Sequence, residues 1–365
     1  MRLVFLGLSL SSSWGNGHAT TYRALLRALD RRGHEVLFLE RDQPWYAAHR
    51  DLPKPDFCDL RLYGRVADLD RYAGSIASAD AVIVGSYVPE GVAVIDRLSS
   101  PVRLFAFYDI DTPITMAGLA EGGTAYLSPA QVPLFDLYLS FTGGPRLRTL
   151  ERKYGARRAR PLYCAVDVEL HRPTPSPRRW DLGYIGTYSE DRQPILERLL
   201  IEPARQLPER RFAVAGPLYP DGIRWPANVD RIEHLGPADH PGFYCSLGWT
   251  LNVTRADMRL AGYSPSVRLF EASACACPIL SDPWPGLNTF FLPGRDILVA
   301  PDTDDVLAAL AMDPASRLAI GAAGRARTLA RHTADIRAQE LECFLAEARH
   351  RDMRRSVAMV AGADA

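Results

Sequence analysis

Lysine is almost absent from this sequence of 365 residues. Only Lys54 and Lys153 are lysines, so arginine supplies nearly all of the 43 basic side chains, and 43 acidic side chains balance them. An anionic ligand must therefore be bound by guanidinium groups, backbone amides or helix ends. The neutral balance also argues against nucleic acid as the main partner, because nucleic-acid binding needs a basic surface.

Paired cysteines and long apolar runs are also missing. No stretch approaches the ~20 apolar residues of a membrane span, and the apolar start, residues 1–6, is too short for a signal peptide. These absences predict a cytoplasmic protein without a transmembrane segment. The cysteine spacing fits neither a disulfide framework nor a zinc site and predicts free, buried thiols at Cys58, Cys164, Cys245, Cys275, Cys277 and Cys343.

The sequence does contain a regular alternation of strand-like and helix-like segments. Short apolar runs are typical of buried parallel strands, and apolar residues at helical spacing precede Gly33. The alternation predicts an α/β protein with doubly wound parallel sheets. The predicted strands are residues 3–8, 35–39, 81–84, 102–107, one within 134–141, 181–185, 211–215, 250–253 and 278–281, and the predicted helices include 20–32, 146–154 and one from 194.

Chain length and proline positions predict two domains. The chain exceeds the usual size of a single hydrophobic core, and three prolines fall within residues 173–177. Ligands of open parallel sheets bind beyond the carboxyl ends of the strands, so we expect the site in a cleft that the domains share. The expected order is an N-terminal Rossmann-like domain (1–170), a linker (171–178), a C-terminal Rossmann-like domain (179–335), a helix (336–352) and a disordered tail (353–365).

Residues 262–282 are the most informative stretch for function. Pro265 and Ser266 suit the first turn of a helix, where serine can act as the cap. Unpaired amides at that end bind phosphate readily, and Arg268 follows one turn along. Glu271 lies on a similar face, where its carboxylate can accept hydrogen bonds from both hydroxyls of a ribose. Taken by itself, the stretch fits a helix start that binds phosphate.

This stretch, with S-P-S-V-R-L-F-E-A-S-A-C-A-C-P-I-L-S-D at 264–282, resembles the C-terminal half of group 1 glycosyltransferases of the GT-B fold. The nearer match is the branch named after the spore maturation protein CgeB. The resemblance includes P-L-Y-C-A-V-D at 161–167 and P-G-L-N-T-F-F-L-P-G-R-D-I-L-V-A at 285–300, and it extends to His332. It implies a GT-B fold, in which two Rossmann-like doubly wound domains face a central cleft.

The resemblance also implies the residues that bind a nucleotide sugar. Glu271 would hold the ribose, while the start of the helix and a second loop face the diphosphate. Tyr263 stands where many members have a further glutamate that reaches the sugar, so the sugar itself is not implied. The predicted donor-binding residues are Gly186, Thr187, Arg192, Thr254, Arg255, Tyr263, Ser264, Ser266, Val267, Arg268 and Glu271.

Two of these assignments have a plainer alternative. Arg268 and Glu271 could form an ordinary ion pair on a helix surface, and Arg192 could form a solvated pair with the adjacent Asp191. The sequence leaves both alternatives open.

The N-terminal half contains a glycine-bearing loop, Gly15, Asn16, Gly17 and His18, between the first strand and its helix. A dinucleotide fingerprint would need glycine where Thr20 stands, which argues against an NAD site. The loop resembles the glycine-rich turn of GT-B acceptor domains. His18 would then act as a base, a proton relay or a hydrogen-bond donor, or it would only line the start of the helix.

Two aspartates follow another apolar run. Asp109 and Asp111 alternate along an extended chain, so both can face one way and either could activate an acceptor hydroxyl. Asp111 could instead cap a turn ahead of Pro113. The spacing of the two aspartates also leaves a divalent-ion site as an alternative.

The resemblance implies a hexosyltransferase-like enzyme that transfers a sugar from a nucleoside diphosphate sugar to an unidentified saccharide, lipid, protein or small metabolite. We expect no cofactor and no divalent metal, because helix amides and arginine can stabilise the leaving diphosphate. Retention at the anomeric carbon is implied by the resemblance alone. The alternatives are an epimerase or hydrolase on the same fold, an inactive nucleotide- or sugar-binding protein, and, least favoured, an NAD-dependent oxidoreductase.

Overall fold

The computed structural model describes residues 1–14, 17–100 and 102–363, with only the backbone described for 350–363. The chain forms two compact units. Unit 1 comprises Met1–Tyr163 and Ala334–Ala365, and unit 2 comprises Cys164–Thr333.

Unit 1 is built on a seven-stranded parallel sheet in the order β3-β2-β1-β4-β5-β6-β7. Every residue of β4 and β5 is buried, because helices cover both faces of a parallel sheet and favour continuous apolar runs. The chain order reverses between β1 and β4, which is the switch point of a doubly wound sheet. The strands are β1 (Arg2–Gly7), β2 (Glu35–Arg41), β3 (Asp59–Tyr63), β4 (Ala81–Gly85), β5 (Phe105–Asp109), β6 (Leu137–Ser140) and β7 (Ala159–Pro161).

The helices of unit 1 bury their apolar stripes against this sheet. In the first helix, Tyr22, Leu25, Leu26 and Leu29 are buried, and Gly33, with φ of 78°, follows its end as predicted. The helices are α1 (Gly17–Arg31), α2 (Pro44–Ala47), α3 (Ala73–Ser78), α4 (Gly91–Leu98), α5 (Thr112–Ala120) and α6 (Pro145–Tyr154), with 3₁₀ turns at Val66–Tyr72 and Pro129–Leu134.

Unit 2 is built on a six-stranded parallel sheet in the order β10-β9-β8-β11-β12-β13. Its switch point lies between β8 and β11, so ligands of this sheet are expected beyond the carboxyl ends of those two strands. The strands are β8 (Trp180–Ile185), β9 (Phe212–Ala215), β10 (Val229–Ile232), β11 (Leu247–Asn252), β12 (Ile279–Ser281) and β13 (Leu298–Val299).

The helices of unit 2 follow the same alternation. A π-helical turn, Glu197–Ile201, joins the first two into one continuous segment. The helices are α7 (Gln193–Leu196), α8 (Glu202–Gln206), α9 (His240–Cys245), α10 (Ala256–Ala261), α11 (Val267–Ala274), α12 (Leu287–Phe290), α13 (Thr303–Ala311) and α14 (Pro314–Arg331), with a 3₁₀ turn at Pro237–Asp239.

The C-terminal helix differs from the expected boundaries. Helix α15 (Ala334–Ala363) starts before residue 336 and continues through residues 353–363, which the sequence predicted to be disordered. It belongs to unit 1, where Ala338 and Leu341 are fully buried and Glu342 pairs with Arg32 and His34 at 2.6 Å. The helix packs within unit 1 because its apolar residues must be buried.

The predicted linker also differs from the structure. Unit 1 ends at Tyr163 rather than 170, and residues 171–178 lie inside unit 2. His171, which the prediction placed in the linker, is 2% exposed, while residues 172–175 are exposed. Proline prevents regular structure there but does not prevent packing.

The structure tests the sequence predictions about the cysteines and about membrane-spanning helices. The described residues include all six cysteines and contain no disulfide. Cys164, Cys275 and Cys277 are buried, whereas Cys58 and Cys245 are half-buried and Cys343 is exposed, contrary to the expectation that all are buried. Within the described residues, no single helix has the length and apolar character to cross a membrane; α13 and α14 meet that test only when taken together, and the pair is bent by 109°.

Candidate functional site

Helix α11 begins directly after Pro265 and Ser266, as the sequence predicts, and its Arg268 contacts the last residues of β8 and β11. Ser266 occupies the N-cap position with φ of −79° and ψ of 142°, and Pro265 precedes it. The Leu269 amide donates to the Ser266 carbonyl at 3.1 Å. No side chain among the described residues caps this helix, so the amides of Val267 and Arg268 remain available to an anion.

Arg268 ties this helix to the ends of both central strands. Its Nε donates to the Ile185 carbonyl at 2.7 Å, and its Nη1 donates to the Asn252 Oδ1 at 3.2 Å. The guanidinium carbon also lies 4.9 Å from the centre of the Tyr184 ring. Arg268 is 9% exposed, and no ion pair joins it to Glu271 among the described residues, so the alternative of a surface pair with Glu271 is wrong.

The predicted second phosphate loop lies beside Arg268. A Cβ on Gly186 would come within 2.5 Å of the Tyr184 hydroxyl and 3.0 Å of the Arg268 Nη2, so a side chain at this position would collide with both. Arg192 donates through Nη2 to the Thr187 carbonyl at 2.6 Å. The structure therefore brings Gly186, Thr187 and Arg192 together with Arg268 at one edge of the sheet.

Arg192 and Asp191 form no salt bridge, although the charge of Arg192 helps to lower the pKa of Asp191. The Asp191 carboxylate accepts instead from the Ser189 hydroxyl and, at 2.7 Å, from the Ala256 amide. These bonds, with burial opposing them, lower the pKa of Asp191. Asp191 holds the start of α10, and the Arg192 guanidinium lies on the Thr187 backbone.

Thr254 and Arg255 follow β11, but the Thr254 side chain already has a partner within the protein. Its hydroxyl donates to Asp282 Oδ1 at 2.7 Å, and its amide donates to the same oxygen at 3.0 Å. Asp282 is 1% exposed, and burial raises its pKa to about 6 despite these bonds. Arg255 is the half-buried N-cap residue of α10. Thr254 therefore positions Asp282 in this structure.

The loop before α11 contains Tyr263 and Ser264. Tyr263 has φ of 51°, donates its amide to the Pro285 carbonyl at 2.7 Å, and packs its ring on Gly286. Ser264 is 5% exposed, and its hydroxyl contacts the Met258 sulfur at 3.0 Å. Both residues shape the approach to α11.

Glu271 is surrounded by two imidazoles and a phenol. His171 Nε2 lies 3.8 Å from one carboxylate oxygen, while His240 Nδ1 and the Tyr244 hydroxyl lie 3.6 and 3.4 Å from the other. Burial favours a protonated Glu271, but His171, His240 and Arg268 outweigh burial and lower its pKa to about 2. Burial lowers the pKa of His240, but the hydrogen bond to Glu271 and its negative charge outweigh burial and raise that pKa. Glu271 is thus an ionised carboxylate with 4% exposure.

The N-terminal loop of unit 1 is described only in part, because Gly15 and Asn16 lie outside the described residues. Gly17 is the first residue of α1, and a Cβ there would meet no atom within 4 Å. The His18 ring lies 5.2 Å from that of Tyr87, and burial lowers the pKa of His18 to about 4. His18 is therefore neutral at pH 7.

The two aspartates after β5 have different surroundings. Asp109 is fully buried and accepts from the Tyr138 hydroxyl at 2.6 Å and the Thr115 hydroxyl at 2.7 Å. Asp111 is the N-cap residue of α5 but makes no side-chain cap bond; its carboxylate accepts from the Tyr87 hydroxyl at 2.9 Å. Asp109 has no exposed surface, and Asp111 is the more accessible of the two, at 8%.

Sequence reasoning missed several residues at the edge of unit 2. His171, His240 and Tyr244 surround Glu271, while Asn252 and Asp282 surround Arg268 and Thr254. Histidine is scarce, with eight residues in the chain, which is a usable signal for His171 and His240. Asn252 and Asp282 follow directly from the rule that residues at the ends of parallel strands face the ligand.

A family model described as glycosyl transferase-like matches residues 192–342, less than half of the chain and mostly within unit 2. No curated protein matches the sequence.

Solved structures resemble the whole chain. Sucrose-phosphate synthase from Thermosynechococcus elongatus aligns at a TM-score of 0.68 with 14% identity, covering 97% of this chain and 99% of its own. HepE of Anabaena in complex with UDP and glucose aligns at 0.65 with 13% identity, covering 95% and 100%. An alpha-glucosyltransferase in complex with UDP-glucose and DNA aligns at 0.69 with 12% identity, covering 94% and 99%.

These similarities confirm the predicted fold: the chain has the α/β GT-B fold, with two doubly wound parallel-sheet units. Sequence identities of 12 to 14% establish the fold. The activity has to be argued from the residues of the site. The CgeB-like branch stays a prediction.

Proposed function

We propose that the protein is a glycosyltransferase that takes a hexosyl group from a nucleoside diphosphate sugar bound by unit 2. The observation that carries the proposal is the uncapped N-terminus of α11, where the amides of Val267 and Arg268 open beside the buried Arg268 guanidinium. The family match and the fold support it. UDP is the first nucleotide to test, because structural neighbours hold UDP or UDP-glucose.

The chemistry of transfer suits this end of the sheet. Cleavage of the glycosidic bond to the diphosphate builds negative charge on the leaving group and positive charge at the anomeric carbon. Preorganised amides and a fixed guanidinium stabilise the leaving charge with little reorganisation. Arg268 is already fixed by Ile185 and Asn252. The proposal therefore assigns no divalent ion to the diphosphate.

Glu271 is proposed to hold the ribose, with Gly186, Thr187 and Arg192 on the diphosphate side. In unit 1, His18 and Asp111 are the proposed acceptor-activating groups, because His18 is neutral at pH 7 and Asp111 is not fully buried. Retention at the anomeric carbon and the identity of the acceptor are further parts of the proposal that rest on the family resemblance.

Replacing Val267 by proline tests the carrying observation. Proline removes one amide donor and is tolerated at the first helical position, and the extended Ser266 before it is compatible with proline. Isothermal titration with UDP should show affinity lowered by about tenfold or more, the value of one charge-assisted hydrogen bond. Thr303→Pro, at the first position of α13, is the matched control and should bind as the wild type does.

Product analysis separates the remaining functions. A transferase releases UDP faster when its acceptor is present, a hydrolase releases it equally without one, and an epimerase changes the sugar without releasing UDP. An inactive binding protein saturates with UDP but turns over no donor. Wild-type affinity in a folded Val267→Pro protein would overturn the assignment of the diphosphate to α11.

A further inference from the structure

The strongest unassigned feature of unit 1 is a concentration of positive charge on and after α6. Seven basic residues and one acidic residue lie between residues 145 and 160, which leaves 36 basic and 42 acidic side chains in the rest of the chain. An arginine-rich composition alone would spread the basic residues along the whole sequence. The positive charge is therefore a local property of this segment.

The charge lies on the side of α6 that faces solvent. Arg148, Arg152 and Lys153 are exposed, and none of the three forms an ion pair among the described residues. Arg148 and Arg152 are four residues apart, so they lie on one side of the helix. Glu151 is the only acidic residue of α6; it is half-buried, and its carboxylate accepts from the Ala159 amide at 3.0 Å. No acid of the helix therefore balances its exposed charge.

Helix stability accounts for only part of this charge. The helix dipole favours basic residues in the last turn, which explains Arg152 and Lys153. The dipole disfavours Arg146, which lies in a first turn without any acidic residue. Like charges four residues apart, as in Arg148 and Arg152, also repel each other. A positive surface that the helix itself does not favour is expected where an anionic partner covers it.

An exposed leucine lies beside the end of α6. A Cβ on Gly155, the C-cap residue of α6, would lie 3.2 Å from Pro133 Cγ, so the 3₁₀ turn that ends at Leu134 packs against the end of the helix. Arg157 joins the same two segments, because it donates to Asp136 at 2.7 Å. Leu134 is 39% exposed. An apolar side chain next to several basic groups is typical of surfaces that lie in the interface of an anionic bilayer.

We infer that the α6 basic surface, formed by Arg148, Arg152, Lys153, Arg157 and Leu134, docks unit 1 on a bilayer that contains anionic phospholipid. The basic groups contact the lipid phosphates, and Leu134 enters the region between headgroups and acyl chains. Nucleic acid fits this surface less well, because the phosphate backbone offers no apolar region to Leu134. The inference goes beyond the proposed transfer reaction and does not depend on it.

Vesicle sedimentation of the full-length protein tests the inference. Sucrose-loaded vesicles of phosphatidylcholine alone are compared with vesicles that also contain about one third phosphatidylglycerol. We expect the protein to sediment only with the anionic vesicles and to be released as the salt concentration rises. Each basic residue near an anionic surface contributes about a fivefold gain in binding, so the triple variant Arg148→Gln, Arg152→Gln and Lys153→Gln should lower the partition coefficient by about 100-fold.

The matched control replaces Lys54, Arg65 and Arg71 by glutamine. These residues are exposed and flank β3, at the opposite edge of the unit 1 sheet from β7, so the control has the same net charge as the α6 variant without touching α6. The control should bind the anionic vesicles almost as tightly as the wild type does. Thermal unfolding of both triple variants shows whether they are folded.

A single variant keeps the inference testable if the triple variant does not fold. Leu134→Ser leaves every charge in place and should lower the partition coefficient several-fold, because less apolar surface enters the interface. A wild-type protein that stays in solution with anionic vesicles at low salt overturns the inference, as do equal losses in the two triple variants. Binding to a DNA duplex but not to vesicles also overturns it. UDP affinity measured without vesicles tests the proposed transferase separately.

Discussion

Two buried carboxylates, Asp109 in unit 1 and Glu271 in unit 2, have opposite environments. Asp109 in unit 1 accepts hydroxyl hydrogen bonds of 2.6 and 2.7 Å, whereas the Tyr244 hydroxyl lies 3.4 Å from the Glu271 carboxylate in unit 2. Burial raises the pKa of Asp109 to about 6, while imidazole and guanidinium groups overcome burial and lower the pKa of Glu271 to about 2.

The difference teaches how to separate a structural carboxylate from a functional one. The Asp109 carboxylate has hydrogen-bond partners within unit 1, and its buried surroundings favour the neutral form. Glu271 keeps its charge in a buried site, which is the expected state of a group that binds something outside the chain.

The largest expected effect comes from neutralising each carboxylate without changing its size. At pH 7, Glu271→Gln should lower the free energy of unfolding by about 3 kcal/mol, because a pKa lowered from 4.5 to about 2 measures what the charge contributes. Asp109→Asn should cost less than about 1 kcal/mol, since its site favours the neutral form. Urea denaturation of both variants checks the pair; equal losses would remove the distinction.

The pH dependence of stability sharpens the comparison. A folded-state pKa of Asp109 raised from 3.8 to about 6 stabilises the protein fully below pH 3.8, and this contribution is lost as the pH rises through 6. From pH 4 to pH 7, the wild type should therefore lose about 2 to 3 kcal/mol relative to Asp109→Asn. Denaturation curves at several pH values measure the gap. A gap that stays constant would show that Asp109 is ionised normally.

A smaller effect is expected at the glycines that follow the first strand of each unit. A Cβ at Gly186 would collide with Tyr184 and Arg268, whereas a Cβ at Gly17 would meet nothing. Gly186→Ala should cost about 1 to 3 kcal/mol and weaken UDP binding. Gly17→Ala should stay within about 0.5 kcal/mol of the wild type. Thermal unfolding and UDP titration of the two variants provide the check, and a neutral Gly186→Ala would contradict the packing described at Arg268.

The sequence predicted the interior strands of both sheets and missed the edge strands. Each predicted strand corresponds to an interior strand, where burial on both faces leaves a continuous apolar run. The four strands that were missed, β3, β7, β10 and β13, are the four sheet edges. These edge strands are partly exposed, as in the sequence D-L-R-L-Y of β3, so they lack a continuous apolar run.

The sequence predicted those features of the candidate site that depend on residues close together in the chain. The helix start at Ser266 and the role of Arg268 follow from cap and anion rules, because neighbouring residues decide them. The cluster around Glu271 could not be predicted, since His171, His240 and Glu271 come from segments far apart in sequence. Proline content also indicated a linker at 171–178, although the side chain of His171 is part of the core.

The central claim is that the amides at the start of α11 bind the diphosphate, and the most direct test is to monitor the Val267 amide by NMR. In protein labelled with ¹⁵N-valine, the Val267 resonance is identified by its loss in Val267→Pro. Titration with UDP should shift this resonance in proportion to saturation, while valines inside the unit 1 sheet, such as Val82, stay unchanged. A Val267 amide that does not move while UDP saturates the protein would contradict the account.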